Sequence, residues 1–240
     1  MKKVLLACLY VLSGIAVMAQ KQINDPNAEV RNVSSFHAIK VGSGINVLLT
    51  QGSSPAVAVS ASETEYRERI VTEVKDGVLN VYFENSAKSI WKNVHSKKLK
   101  AYIAVTNIDG IHVNSGADVK TEGTLKAGDL NIQASSGANF KGDVQATSIT
   151  VKQNSGSTIN ISGTTGSLDV ACSSGSSFHG YDLTSDNCKA GVSSGAGVQT
   201  TVNKELSATA SSGGYVNYKG EGVIRDIRTG SGGSVSKKSK

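Results

Sequence analysis

Glycoside hydrolysis needs two carboxyl groups about 5–9 Å apart, one to protonate the leaving oxygen and one to act as base or nucleophile. In this 240-residue chain Glu122 and Asp143 are the pair whose spacing fits, because each lies six residues after the glycine of a recurring Ser-Gly dipeptide, in consecutive copies. Stacked like charges of this kind raise one pKa or invite a cation. Gly123 and Gly142 flank the two differently, however, so the turn breaks register and the carboxylates diverge. Asp169 and Asp226 also share a place, six before the glycine, but three copies apart, roughly 14 Å at the strand spacing. The chain therefore reads as non-enzymatic, with no cofactor, no metal and no catalytic residue.

The other reactive groups lead to the same place. His37, His95, His112 and His179 show no metal-ligand pair spacing and read as surface residues. Cys172 and Cys188 lie one copy apart but four residues out of step along the strand, well beyond the roughly 7 Å that a disulfide can bridge, so they read as two buried free thiols. The repeated serines lack the base and oxyanion site that a nucleophile needs. They read instead as corner residues whose hydroxyls bond backbone groups along the turn.

Binding is better served than catalysis. Four residues after each glycine stand Lys120, Lys141, Asn160, His179, Gln199 and Asn217. If the copies stack, these form one outward ribbon of donors and acceptors, a candidate ligand-binding face for a glycan or another cell-surface protein. Trp91, and Tyr215 with Tyr218, are candidate sugar-stacking surfaces.

The elements that must position this ribbon follow from the repeat. Ser-Gly recurs at Ser115-Gly116, Ser136-Gly137, Ser155-Gly156, Ser174-Gly175, Ser194-Gly195, Ser212-Gly213 and Ser231-Gly232, at intervals of 21, 19, 19, 20, 18 and 19 residues. Three positions after each glycine comes an apolar residue: Val119, Phe140, Ile159, Phe178, Val198, Val216 and Val235. Before each corner, alternate positions are mostly apolar, as in Leu130-Ile132-Ala134 and Leu168-Val170-Cys172. Period-two alternation is the strand signature. One copy cannot bury its apolar side, and stacking copies about 4.8 Å apart does. The expected fold is all-β, a parallel β-helix (solenoid) with rungs of about 19–20 residues. Right-handedness is expected, because the left-handed form favours strict six-residue units.

Upstream, Phe36 to Leu49, Ala56 to Ser60, Val78 to Phe83 and Leu99 to Val105 read as strands, and Ser62 to Ile70 as a short helical turn. Ser43-Gly44 obeys the corner rule. This region is either a modified start of the stack or a small sheet covering its end, as solenoids require. Residues 1–19 read as a signal peptide: Lys2 and Lys3, an apolar run, then Val17-Met18-Ala19 before the cleavage point. Cys8 sits too close to Lys3 for lipoprotein processing and leaves with the leader. The expected division is 1–19 leader, 20–28 linker, 29–108 irregular β region, 109–235 regular repeats and 236–240 polar tail.

The formal charge of +6 is concentrated at the two ends; without Lys2, Lys3, Lys237, Lys238 and Lys240 the body is close to +1. That is no phosphate-tracking stripe, which excludes nucleic acid as a partner. After leader cleavage no segment reaches the roughly twenty apolar residues of a membrane-spanning helix.

Phe36 to Gly52, with Gly44-Ile45-Asn46 and then Gln51-Gly52, resembles the bacterial "head GIN domain" family of autotransporter adhesin heads. Asp76-Gly77-Val78-Leu79 and the Ser-Gly repeats are similar to that family too, so the likeness covers nearly the whole mature chain. The resemblance implies a secreted β-helix-like fold and carries over no functional residues. The expectation is an exported, non-enzymatic binding or adhesion module, periplasmic or at the cell surface, able to oligomerise. A carbohydrate-processing β-helix enzyme and a structural or signalling envelope protein are the alternatives.

Overall fold

The structure, a computed structural model, describes residues 25–84 and 97–239. The leader with Cys8, and Trp91 and His95, lie outside the described residues.

The seven repeat Ser-Gly pairs, and Ser43-Gly44 with them, are corners with both residues at positive φ: +49° to +57° for the serines and +68° to +76° for the glycines. The residue after the glycine bonds back to the residue before the serine, as Ala117 N–H does to the Asn114 carbonyl at 3.1 Å. Two positive φ values closed by such a bond define a type I′ turn. Holding serine there costs roughly 1–2 kcal/mol. A ladder along the corner offsets it: Gly44 N–H donates to the Ser115 carbonyl, Gly116 to Ser136, and so on to Gly213 and Ser231, at 3.0–3.1 Å. The hydroxyl ladder expected from the sequence is thus replaced by a backbone one.

Two sheets meet at this corner. One contains β1 (Glu29–Arg31), β3 (Asn46–Gln51), β4 (Ala56–Ser60), β7 (Lys100–Val105) and the N-terminal parts of β9 (Asp118–Ala134), β10 (Asn139–Gln153), β11 (Thr158–Cys172), β12 (Ser177–Val192) and β13 (Gly197–Ala210). It ends on β14 (Tyr215–Lys219) and β16 (Ser234–Lys237). The other sheet runs from β5 (Ile70–Lys75) and β6 (Val78–Phe83) through β2 (Ala38–Val41) and β8 (Gly110–Val113) to the C-terminal parts of β9–β13 and β15 (Val223–Thr229). From β9 onward all pairing is parallel, and beside each Ser-Gly corner it keeps the register of the repeat. The result is a β-solenoid of about 7 turns at ~19-residue spacing.

Identical positions stack into apolar columns. Val47, Val119, Phe140, Ile159, Phe178, Val198 and Val216 form one, each almost fully removed from water. The small residues just after each corner, Ala117, Ala138, Ser157, Ser176 and Ala196, are buried too. A larger side chain there would push the two sheets apart. A third, short side in the coils of β9–β13 carries Leu125, Val144, Gly163 and Leu183 in column.

The GIN segment is the first turn of the stack, since β2 and β3 lie directly on β8 and β9 across the Ser43-Gly44 corner. Ile45 is wholly buried, and Asn46 N–H donates to the Leu99 carbonyl. Among the described residues this turn has no strand on the third side, and Gln51 stands in for one. Its Oε1 accepts from the Lys126 N–H at 2.8 Å, and its Nε2 donates to the carbonyls of Lys126 and Thr106. Beyond it, β4 pairs antiparallel with β7 and β1 with β4, while the β5–β6 hairpin turns at Asp76-Gly77. The short α1 (Thr64–Glu68) seats Tyr66 in the core. The upstream region is therefore both things the sequence allowed, a first turn and an end cover. Among the described residues nothing covers the far end: β15 is exposed throughout, with Val223, Ile224 and Ile227 in solvent.

Cys172 pairs in register with Val192 and Cys188 with Leu168, so four residues of offset keep the thiols apart, and both are free and buried. Burial pushes both thiols up to about 12. In the folded chain neither is expected to react with a thiol-specific dye at pH 8, and both react in urea; labelling of the folded protein would contradict this placement. Raised pKa values favour the folded state fully below about pH 9, the range of a free thiol, and that contribution fades as pH climbs toward 12.

Candidate functional site

The expected ribbon exists as a continuous ladder. Lys120, Lys141, Asn160, His179, Gln199 and Asn217 are direct neighbours on consecutive parallel strands of the first sheet. Each faces outward because its neighbours on either side along the strand, such as Phe140 beside Lys141, point into the core. Leu48 precedes the ladder and Ser236 follows it. His179 Nδ1 lies 3.0 Å from Gln199 Oε1, which fixes those two side chains to each other.

Beside this ladder the sheet bends into its third side, and the pairing slips. Bulges occur between Lys141 and Asp143, between Asn160 and Ser162, and between Gly180 and Thr184. Bulges bend a strand and re-aim side chains, and here they open a groove of about 530 Å³. One wall is the ladder from Lys120 to Gln199; Asn217 lies past the groove's end. The other wall is Asp143, Ser162 and Asp182, neighbours in register, with Ser162 Oγ donating to Asp143 Oδ2 at 2.9 Å. Gly142 is required at the floor, since a Cβ there would come within 2.6 Å of Thr121 Cγ2.

The tyrosine at this groove is Tyr181, half-buried, with Lys219 Nζ 4.5 Å from its ring centroid. Burial raises its phenol, with Tyr215 adding to the effect, so it stays neutral. The sequence pointed elsewhere. Tyr218 is a core residue at 6% exposure, and Tyr215 packs over Gly197, so neither offers an open stacking face. Tyr181 was hidden because the bulge after Gly180 takes it out of the repeat register, and only the lengthened interval between corners signals such a bulge.

The slip at Asp143 also decides the carboxylate pair. Asp143 faces Thr124, whereas Glu122 pairs with Thr50 on the preceding turn, so the two do not stack. Among the described residues no three or more His, Cys, Asp or Glu side chains cluster to hold a metal ion. His37 is exposed, with Nδ1 2.8 Å from Asp109 Oδ1. His112 is half-buried on the second sheet, away from the ladder. Among the described residues no helix is long and apolar enough to cross a membrane.

The family model described as "Putative auto-transporter adhesin, head GIN domain" matches residues 35–222. A search of curated proteins returned no match. Among solved structures, a "putative adhesin" from Bacteroides fragilis is 18% identical, with a TM-score of 0.79 over 88% of this chain and 96% of that one. A second "putative adhesin", from Parabacteroides distasonis, is 20% identical with a TM-score of 0.68 over 88% and 96%. A "putative lipid binding protein" from the same organism is 17% identical with a TM-score of 0.67 over 90% and 98%. At these identities the likeness is one of fold.

Proposed function

We propose, from the premise that the chain belongs to the head GIN domain family, that it is an exported, non-enzymatic adhesion module whose first sheet binds a neutral glycan. One observation carries this: the polar ladder and the Asp143–Ser162–Asp182 row face each other across a groove with an aromatic ring at its edge. Lysine ammonium and side-chain amide groups donate, carboxylates accept, and a hydroxyl does both. A polyhydroxyl chain needs that mixture along its length, with a ring face to stack on. Export to the cell envelope is supported by the leader pattern and by the adhesin description of the family.

A second reading rests on Asp143 and Asp182. They lie two strands apart with Ser162 between, roughly 9–10 Å at the strand spacing, the upper end of the separation in inverting glycosidases.

The test is a glycan array probed with the chain lacking residues 1–19, followed by titration of the best hit. Tyr181→Ala and Gln199→Ala are each expected to weaken binding about tenfold, with the thermal midpoint unchanged and the glycan recovered intact. Shortened products establish the hydrolase instead. Silence across the array, or affinity indifferent to both substitutions, removes the groove as a glycan site.

A further inference from the structure

The second sheet carries a different set of outward side chains. Asn80, Lys40, His112, Gln133 and Lys152 are neighbours on five consecutive strands, β6, β2, β8, β9 and β10. They floor a groove of about 570 Å³, with Lys75 and Asp76 of the β5–β6 turn at one end and the Asn114 and Asn154 amides along the corner. Three lysines thus stand against one carboxylate. Among the described residues none of the three lysines is in a salt bridge.

We propose that this groove is a second binding site, for an acidic polysaccharide bearing carboxylate or sulfate groups. Lys40 and Lys152 are three strands apart, roughly 14 Å at the strand spacing, with His112 and Gln133 between them. Two fixed cations separated by neutral hydrogen-bonding groups match a chain whose anions are separated by hydroxyls. His112 is held below the ordinary histidine range, first by burial and then by the Lys40 charge, against a contact with Gln133. Its ring is therefore neutral, a donor and acceptor for a hydroxyl. A membrane surface fits poorly, because the exposed large apolar side chains, Val30, Tyr82, Val223, Ile224 and Ile227, all lie outside the lining; peripheral attachment uses such groups. A nucleic-acid strand needs stacking rings, and His112 is the one aromatic ring in the lining. The groove is separate from the ladder of the first sheet, so the two sites stand or fall independently.

Calorimetric titration at low salt settles it, using oligogalacturonate as the acidic probe, dextran of equal length as the neutral one, and phosphatidylglycerol vesicles. Oligogalacturonate is expected to bind, and the double variant Lys40→Ala/Lys152→Ala to lose at least tenfold in affinity at an unchanged thermal midpoint. Lys40→Arg/Lys152→Arg keeps most of the affinity, and Tyr181→Ala on the first sheet leaves it untouched. No affinity of the unsubstituted chain for oligogalacturonate overturns the proposal. So does equal affinity in the alanine variant, binding of dextran that equals that of oligogalacturonate and depends on the same two lysines, or a lysine-dependent preference for vesicles over the oligosaccharide.

Discussion

Gly163→Ala is expected to lower the stability of the solenoid by about 3–5 kcal/mol. Gly163 has a φ of +113°, outside the left-handed region that other residues tolerate, and a Cβ would lie 2.0 Å from the Val144 carbonyl oxygen. Nothing there is a flexible side-chain end. The clash is with the backbone of the preceding turn, so relief must break the pairing of β10 with β11. Gly156→Ala is the contrast: its φ of +69° is an ordinary left-handed value, and a Cβ there would meet no atom within 4 Å. It is expected to cost only about 1–2 kcal/mol. Urea midpoints of the two variants should therefore separate clearly; equal midpoints would falsify the placement of Gly163 against its neighbour.

The second large effect comes from Phe178→Ala, at about 3–5 kcal/mol. Phe178 is fully buried in the column between Ile159 and Val198. Its ring occupies the space above Gly180, where a Cβ would meet Phe178 Cε1 at 2.4 Å. The missing side chain at 180 and the large one at 178 are two halves of one packing solution. Gly180→Ala alone should therefore also destabilise, and in the double variant the new methyl occupies part of the cavity left by the ring. The double variant is expected to be more stable than the sum of the single effects by about 1 kcal/mol or more. Strict additivity in a urea double-mutant cycle would show that the two positions do not share space.

Much of this fold is written openly in the residues. A side chain that recurs at the same distance from each corner must occupy the same place in each turn, which is why the stacking of Lys120 through Asn217 was legible. The free thiols followed from the same arithmetic. What could not be read is what departs from the period. The bulges after Lys141, Asn160 and Gly180 depend on how a strand turns the second corner. They decide both the separation of Glu122 from Asp143 and the arrival of Tyr181 at the groove. The lysine face of the second sheet was hidden for another reason. Lys40, His112 and Lys152 come from the first turn, β8 and the regular coils, and the pairing of β2 with β8 joins segments about seventy residues apart without any local signal. Strands β1 and β5 carry little sequence signal, because an end cover has one covered side and so a weaker alternation.

The two ends of the stack are unlike, and that gives the molecule a direction. At one end antiparallel strands and Tyr66 cover the first turn; at the other, the last strands are exposed and, among the described residues, pair with one neighbouring turn. In a linear stack each turn is secured chiefly by its nearest neighbours, so opening begins at the exposed end and travels inward. Asn217 therefore lies near the end expected to open first, and Lys40 and Lys120 near the covered end. The lysine face is therefore expected to exchange its amide protons more slowly than the far end of the polar ladder.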